Sequence, residues 1–361
     1  MSVPECAQQK VDSVSDDLRK ISLKVHENPE LAWKEHTAHD ALVDYLKGVS
    51  GVKVEEFEKY PTAFKATYSN GNGRTFALCS EYDALPEIGH GCGHNLIAVC
   101  GLGAFLAIKE AMDKGHVNGN LVLMGTPAEE GDAGKVRLMD IGAFVRTLSM
   151  THLRVTFKGS PAHAGLAPWE GVNALDAAVL AYSAIGVLRQ QIQPSCRASM
   201  LYLIRAPSAA LVMDLKKKLT AAFEGAAMQT GCKAEITGGL LLKEMRNDVS
   251  LSIMGDMYDI PVRVATEECM GASSDFGNVT HAFPGCHPMF NIKSKNSNHT
   301  VEFTDASKSE QAHGEAMKHT TGMACTGIKF MTDDKFADKV KESWKDEMEK
   351  VKKEHESLKK D

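Results

Sequence analysis

The chain has 361 residues, of which 43% are hydrophobic and 24% charged, a composition that excludes a disordered or collagen-like chain and leaves room for two domains. Lys plus Arg number 41 against 47 Asp plus Glu, a formal charge of −6, so neither a nucleic-acid partner nor an anionic membrane surface is expected. No run of 18 apolar residues occurs, Met1-Ser2-Val3-Pro4-Glu5 lacks the basic-then-apolar order of a signal peptide, and the nine cysteines show no repeated spacing, so the expectation is a cytoplasmic chain with reduced thiols.

Val11, Val14, Leu18, Ile21 and Val25 recur at steps of three and four, the face of a helix that Asn28-Pro29 stops. A second helix is expected from Thr37 to Lys47. The period then changes to that of strands, at Val52–Val54, Ala63–Tyr68 and Thr75–Cys79, with Asn70-Gly71-Asn72-Gly73 as a hairpin signal between the last two. A helix from Asn95 to about Met112 and an apolar strand at Leu121–Met124 follow. Short apolar strands alternating with helices predict an α/β fold: a mixed, mostly parallel sheet with helices on both faces. Its functional loops belong at the carboxyl ends of the strands.

The middle reads as a separate block. Strands are expected at Leu153–Phe157, Ser199–Ile204 and Lys233–Ile236, and helices at Glu170–Gln190 and Ser208–Gln229, where Leu211, Leu215, Leu219 and Phe223 step by four. This is an inserted α+β, ferredoxin-like domain over 151–239, dividing a catalytic domain formed by 1–150 and 240–361. A helix near Asn247–Tyr258, a strand at Met289–Ile292 and a helix near Ala306–Cys325 complete the second part. Phe336, Val340, Trp344 and Met348 then mark an amphipathic surface helix, with a partner-binding helix as the alternative.

Four stretches carry candidate chemistry. Glu81-Tyr82-Asp83 followed by Gly89-His90-Gly91-Cys92-Gly93-His94 places thiolate and imidazole groups among glycines that let the backbone turn tightly. Such groups suit zinc or a similar metal. The alternative is a Gly-rich turn with a buried Cys92 and a capping His94. Glu129-Glu130 follows the Leu121–Met124 strand. Adjacent carboxylates repel unless a cation sits between them, and one could bind metal while the other acts as base on a metal-bound water. A solvated loop pair is the alternative. His299, in Asn298-His299-Thr300, gains weight only beside the first two clusters. His163, in Pro161-Ala162-His163-Ala164-Gly165, could touch substrate or cap the following segment. Gly101-Leu102-Gly103 lacks the third glycine of a dinucleotide site and reads as helix packing.

These stretches, with His26–Leu31, Gly125–Gly131, Gly159–Ala164, Asn173–Leu180, Arg205–Ser208 and Ser274–Val279, give the chain a likeness over nearly its whole length. It resembles the aminoacylase/carboxypeptidase clan of metal-dependent exopeptidases and amidohydrolases, and within it the aminoacylase-1-like β-alanyl-lysine dipeptidase group. The resemblance implies hydrolysis of an amide or dipeptide bond, on a small peptide or N-acyl/amide substrate. It implies Cys92, His94, Glu130 and His299 as metal ligands, Glu129 as general base and Asp83 as the orienter of a ligand. Zinc is the foremost metal, with manganese or cobalt as alternatives, one or two per chain. It further implies a homodimer in which the inserted domain dimerises and covers the site.

Two departures bear on this chemistry. Relatives in the clan carry a His-Pro, supplying a fifth ligand, between the segments matching Gly142-Ala143-Phe144 and Arg154-Val155-Thr156-Phe157; here the two nearly abut, with His152 between them. A His-Gly and a glycine-rich loop before the strand leading to Arg205 are also missing. The alternative function is therefore a non-catalytic homologue that binds small peptides or a protein partner.

Overall fold

The computed structural model describes residues 3–144, 153–160, 172–188, 204–250 and 274–357. It divides into two compact units, one of Met1–Thr147, Met245–Glu268 and Ser274–Glu347, the other of Leu148–Glu244, Cys269–Ser273 and Met348–Asp361.

The first unit begins with α1 (Val3–Glu27) and α2 (His36–Lys47), followed by β1 (Lys53–Phe57), β2 (Tyr60–Ser69) and β3 (Arg74–Ser80). Then come α3 (His94–Asp113), β4 (Gly119–Gly125), and the short α4 (Glu129–Asp132) and α5 (Gly134–Asp140). The strands form one sheet in the order β1-β2-β4-β3. Side chains alternate across it as the pleat requires. Phe64, Ala66, Leu78, Leu121 and Leu123 face a core built with α1 and α3. Ala63, Cys79, Val122 and Met124 face a second cluster with Leu138 and Met139 of α5.

The mixed α/β character holds, but the parallel majority does not: β1–β2 and β2–β4 are antiparallel, and only β3–β4 is parallel among the described residues. The hairpin expected between β2 and β3 is also absent, because β4 lies between them. Asn70 explains the change. Its side-chain amide donates to the carbonyls of Met112 and Val117 and its oxygen accepts the Gly119 N–H, so the turn is fastened to the start of β4 and not closed on itself.

α3 is buried at every residue but Ile97, Glu110 and Asp113. It is long and apolar enough to cross a membrane by length and composition, and here it is the central core helix. Gly101 and Gly103 serve helix packing. A Cβ at Gly101 would stand 2.3 Å from Ser80 Oγ and 2.8 Å from the Cys79 carbonyl, and one at Gly103 would meet Leu18 and Thr320 at 2.8 Å.

In the second unit, β5 (Leu153–Lys158) pairs antiparallel with β6 (Lys233–Gly238), and the helices between them are α6 (Ala174–Leu188) and α7 (Ala209–Thr230). Ser208 caps α7 by accepting the Leu211 N–H, and Gly231 ends it in the left-handed conformation. Leu215, Leu219 and Phe223 are buried together against Ala181 and Ile204. His163, His152 and most of the expected strand Ser199–Ile204 lie outside the described residues.

The chain returns to the first unit with α8 (Phe276–Ala282), α9 (Val301–Ser307) and α10 (Glu310–Thr332), and α11 (Asp334–Ser357) follows, its residues up to Glu347 belonging to that unit. The segment Met289–Ile292 forms no strand, and the helix expected at Ala306–Cys325 is two helices, because the Ser309 hydroxyl accepts the Ala312 N–H and starts α10 afresh. Most of the expected helix Asn247–Tyr258 lies outside the described residues. In α11, Phe336, Ala337 and Val340 are buried and the Trp344 indole donates to the Thr280 carbonyl, which docks an amphipathic surface helix.

Gly101→Ala tests the α3–β3 contact. Because the crowding atom in Cys79 is backbone, the variant is expected to lose about 1–3 kcal/mol of stability, read as a lower midpoint in denaturant unfolding of the purified chain.

Candidate metal centre

The register of β3 and β4 pairs Ser80 with Gly125, so both strands end at one point and release their loops side by side. The Ser80 carbonyl accepts both the N–H and the hydroxyl of Thr126, at 2.7 and 3.0 Å, which ties the loops at their roots. Glu81-Tyr82-Asp83 leaves β3 and Glu129-Glu130 leaves β4. Gly93, in the left-handed conformation at φ 78°, starts α3 and turns His94 toward them. The chain 208 positions later is drawn in by a 2.7 Å bond from the His299 N–H to the Gly91 carbonyl.

Asp83 works in two directions. Its Oδ1 lies 3.1 Å from His94 Nδ1, whose other neighbour is the Asp83 carbonyl at 2.8 Å, and its Oδ2 accepts the Glu130 N–H at 2.9 Å. It therefore fixes the imidazole and pins the acidic turn. Burial disfavours a charged imidazole here, but Asp83, Cys92 and Glu81 outweigh it and push His94 well above its ordinary value. Burial likewise opposes the Asp83 charge, and His94 outweighs it, holding Asp83 low.

Ligand-type atoms converge in two overlapping groups, Cys92 with Glu130 and His299, and His94 with Glu129 and Glu130. Within each, the atoms lie within 4.8 Å of one another. His299 Nε2 is 3.4 Å from Glu130 Oε1, and His94 Nε2 is 3.9 Å from Glu129 Oε2. Glu130 Oε1 is buried without a hydrogen-bond partner. A buried carboxylate oxygen that accepts no hydrogen bond, gathered with a thiol and an imidazole, is costly unless a cation completes it, so these residues fit a divalent metal. The five residues read from sequence are thus brought together, with Asp83 behind them.

Lys135 was not legible as part of this centre. It is fully buried on α5, with its Nζ 2.6 Å from Glu81 Oε1 and 2.6 Å from Asp275 Oδ1, and its N–H donates to Asp275 Oδ2. Burial raises both acids. The Lys135 ammonium overrides it at Glu81, which falls to about 2, but not at Asp275, which stands at about 6. Glu129 is pushed up to about 8, by burial first and then by Glu81 and Asp275. Nothing in Asp132-Ala133-Gly134-Lys135-Val136-Arg137 sets this lysine apart from a solvated one.

Lys135→Met is expected to destabilise the first unit by about 3–5 kcal/mol, because two buried carboxylates lose their cation. A carboxyl with a folded pKa above its unfolded value contributes stability at low pH that is lost as pH rises through the folded value. The deficit against wild type should therefore widen between pH 5 and 8 in urea unfolding; a deficit that shrinks over this range contradicts the assignment.

A model of the family described as Peptidase family M20/M25/M40 matches residues 77–333. The Xaa-Arg dipeptidase of Homo sapiens is 31% identical over 395 aligned positions, covering 93% of this chain and 90% of that protein. That alignment is longer than the chain, so the human protein has stretches with no counterpart here. A p-aminobenzoyl-glutamate hydrolase subunit of Escherichia coli K12 is 27% identical over 62% of this chain and 58% of that protein. Among solved structures, a dinuclear metal-binding M20 peptidase of Bacillus subtilis matches with a TM-score of 0.62 at 15% identity, over 89% of this chain and 99% of that one. The aminobenzoyl-glutamate utilization protein of Klebsiella pneumoniae matches with 0.61 at 15% identity, over 90% and 98%. With the family model spanning most of its length, the chain belongs to peptidase family M20/M25/M40.

Proposed function

We propose that the chain is a metal-dependent dipeptidase or amidohydrolase whose ligands are Cys92, His94, Glu130 and His299. The observation that carries this reading is the convergence of Cys92, His299 and a buried Glu130 oxygen that accepts no hydrogen bond. Zinc is the foremost candidate from a set of thiolate, imidazole and carboxylate donors. When bound, such a metal lowers the pKa of water and polarises a carbonyl. Glu129 accepts the proton of the attacking water and delivers it to the leaving amine nitrogen. Glu129, raised to about 8 by burial and the acids around it, would be drawn toward the ionised form a base needs by a cation held on its neighbours. Asp83 holds His94 by its Nδ1, leaving Nε2 free to face the centre.

The relative named Xaa-Arg dipeptidase makes dipeptides with a basic C-terminal residue the first substrates to try, with N-acyl amino acids as the second class. Residues 1–150 and 240–361 would form the catalytic domain, and 151–239 a domain for dimerisation and for covering the site. Support for a homodimer lies on α6, where Leu175, Val179 and Tyr182 are 68%, 54% and 64% exposed at helical spacing.

Glu129→Gln should lower kcat by about 100-fold or more while metal content, read by elemental mass spectrometry, stays at the wild-type level. Unchanged turnover would remove Glu129 from the reaction. Val179→Asp should convert a dimer into a monomer in light scattering coupled to gel filtration; a wild-type chain that runs as a monomer rules out the α6 interface.

A further inference from the structure

Glu35 is fully buried, belongs to neither ligand group, and has no part in the reaction proposed above. Its Oε1 accepts the N–H of Trp33 at 3.0 Å and the N–H of Ala128 at 2.9 Å, and its Oε2 accepts the Thr62 hydroxyl at 2.9 Å. Trp33 and Ala128 are both left-handed, at φ 64° and 61°. Side chains with a Cβ disfavour that conformation, which persists only where the surroundings enforce it.

Ala128 immediately precedes Glu129 and Glu130. Its own carbonyl accepts the N–H groups of Asp132 and Gly134, at 3.2 and 3.0 Å. The turn is thus held from two sides: Glu35 takes the N–H on one side of the acidic pair and Asp83 takes the Glu130 N–H within it. Burial pushes the Glu35 carboxyl up to about 7. A solvent-free carboxyl with three donors, two of them on left-handed residues, is an anchor and not a surface charge.

We infer that Glu35 is a positioning residue for hydrolysis: by holding Ala128 in its left-handed turn it sets Glu129 and Glu130 against His94 and His299. The inference rests on the reading of Glu129 as base and Glu130 as ligand. Glutamine suits the same place, because its oxygen can accept both N–H groups and its amide can donate to the Thr62 hydroxyl, which accepts as readily as it donates. Alanine leaves all three donors unpaired.

The test uses the full chain, with steady-state kinetics on a basic dipeptide and zinc affinity from titration against a chromogenic chelator. Glu35→Ala, folded by circular dichroism, should lose about 10- to 100-fold in kcat with KM within about threefold, because a small misplacement of a reacting group is costly. Zinc affinity should fall about tenfold or more through Glu130. Glu35→Gln should restore both to within about threefold of wild type. Both losses should shrink in an Ala128→Gly background, since glycine adopts the turn unaided. If Glu35→Ala does not fold, Glu35→Asp, which withdraws the oxygens by one carbon, carries the same expectations. Wild-type kcat and zinc affinity in the folded variant, failure of Glu35→Gln to rescue, or a loss undiminished in the Ala128→Gly background would each overturn the inference. A wild-type chain that binds zinc but cleaves no dipeptide defeats the proposed reaction alone, and the zinc arm still decides the role of Glu35. A chain that binds no zinc defeats both.

Discussion

Because Ser80 pairs with Gly125 in a parallel ladder, the chain leaves β3 and β4 at the same end of the sheet, and two acidic runs emerge next to each other. Glu81, Asp83, Glu129 and Glu130, joined by Asp275, place strong mutual repulsion where little water screens it. The surrounding structure answers that repulsion group by group. Lys135 holds Glu81 ionised and pairs with Asp275 from inside the core, and His94 faces Asp83. What is left over is the acidic pair: Glu129, raised to about 8, and Glu130, one of whose buried oxygens accepts no hydrogen bond, beside Cys92 and His299. The centre is the place where the charge of the fold has not been balanced from within.

The same arrangement divides labour between side chains of identical chemistry. Glu81 is held ionised at about 2 by an ammonium, while Glu129, close to it in space, is raised to about 8 by burial and by the acids around it. Asp83 is low because it faces an imidazole. Environment, not residue type, separates the group that anchors from the group that can exchange a proton.

Much of this was legible in sequence, and the failures have physical causes. The Cys92, His94 and Glu129-Glu130 clusters stood out because several ligand-type residues gather after two apolar strands, each cluster lending weight to the other, and Gly101 and Gly103 were correctly read as packing residues. Asn70-Gly71-Asn72-Gly73 misled because local turn chemistry cannot show that Asn70 bonds to Gly119, 49 positions away. The break at Ser309 was missed although Ser307 to Gln311 are all polar, because a serine on a helix surface and a serine that caps a new helix read alike in sequence. Lys135 and Glu35 gave no signal, since a charge looks solvated until the fold reveals its partners. Fold class came from alternation, which is local; sheet order and buried ion pairs are long-range and do not print themselves in spacing.

The bond between Lys135 and Asp275 spans 140 positions, with the second unit's chain threaded between them. Closing so long a loop is not expensive, since each doubling of length adds only about 0.6 kcal/mol. Its effect is on timing. At about 5–20 residues per second, Asp275 leaves the ribosome roughly 7–28 s after Lys135, and His299 later still. Through that interval the nascent chain holds Cys92, His94 and the acidic pair without the partner that lets Lys135 be buried and without the last imidazole. A ribosome stalled within the intervening segment would therefore present a thiol and a cluster of carboxylates before Asp275 can join Lys135 and before His299 can reach Gly91.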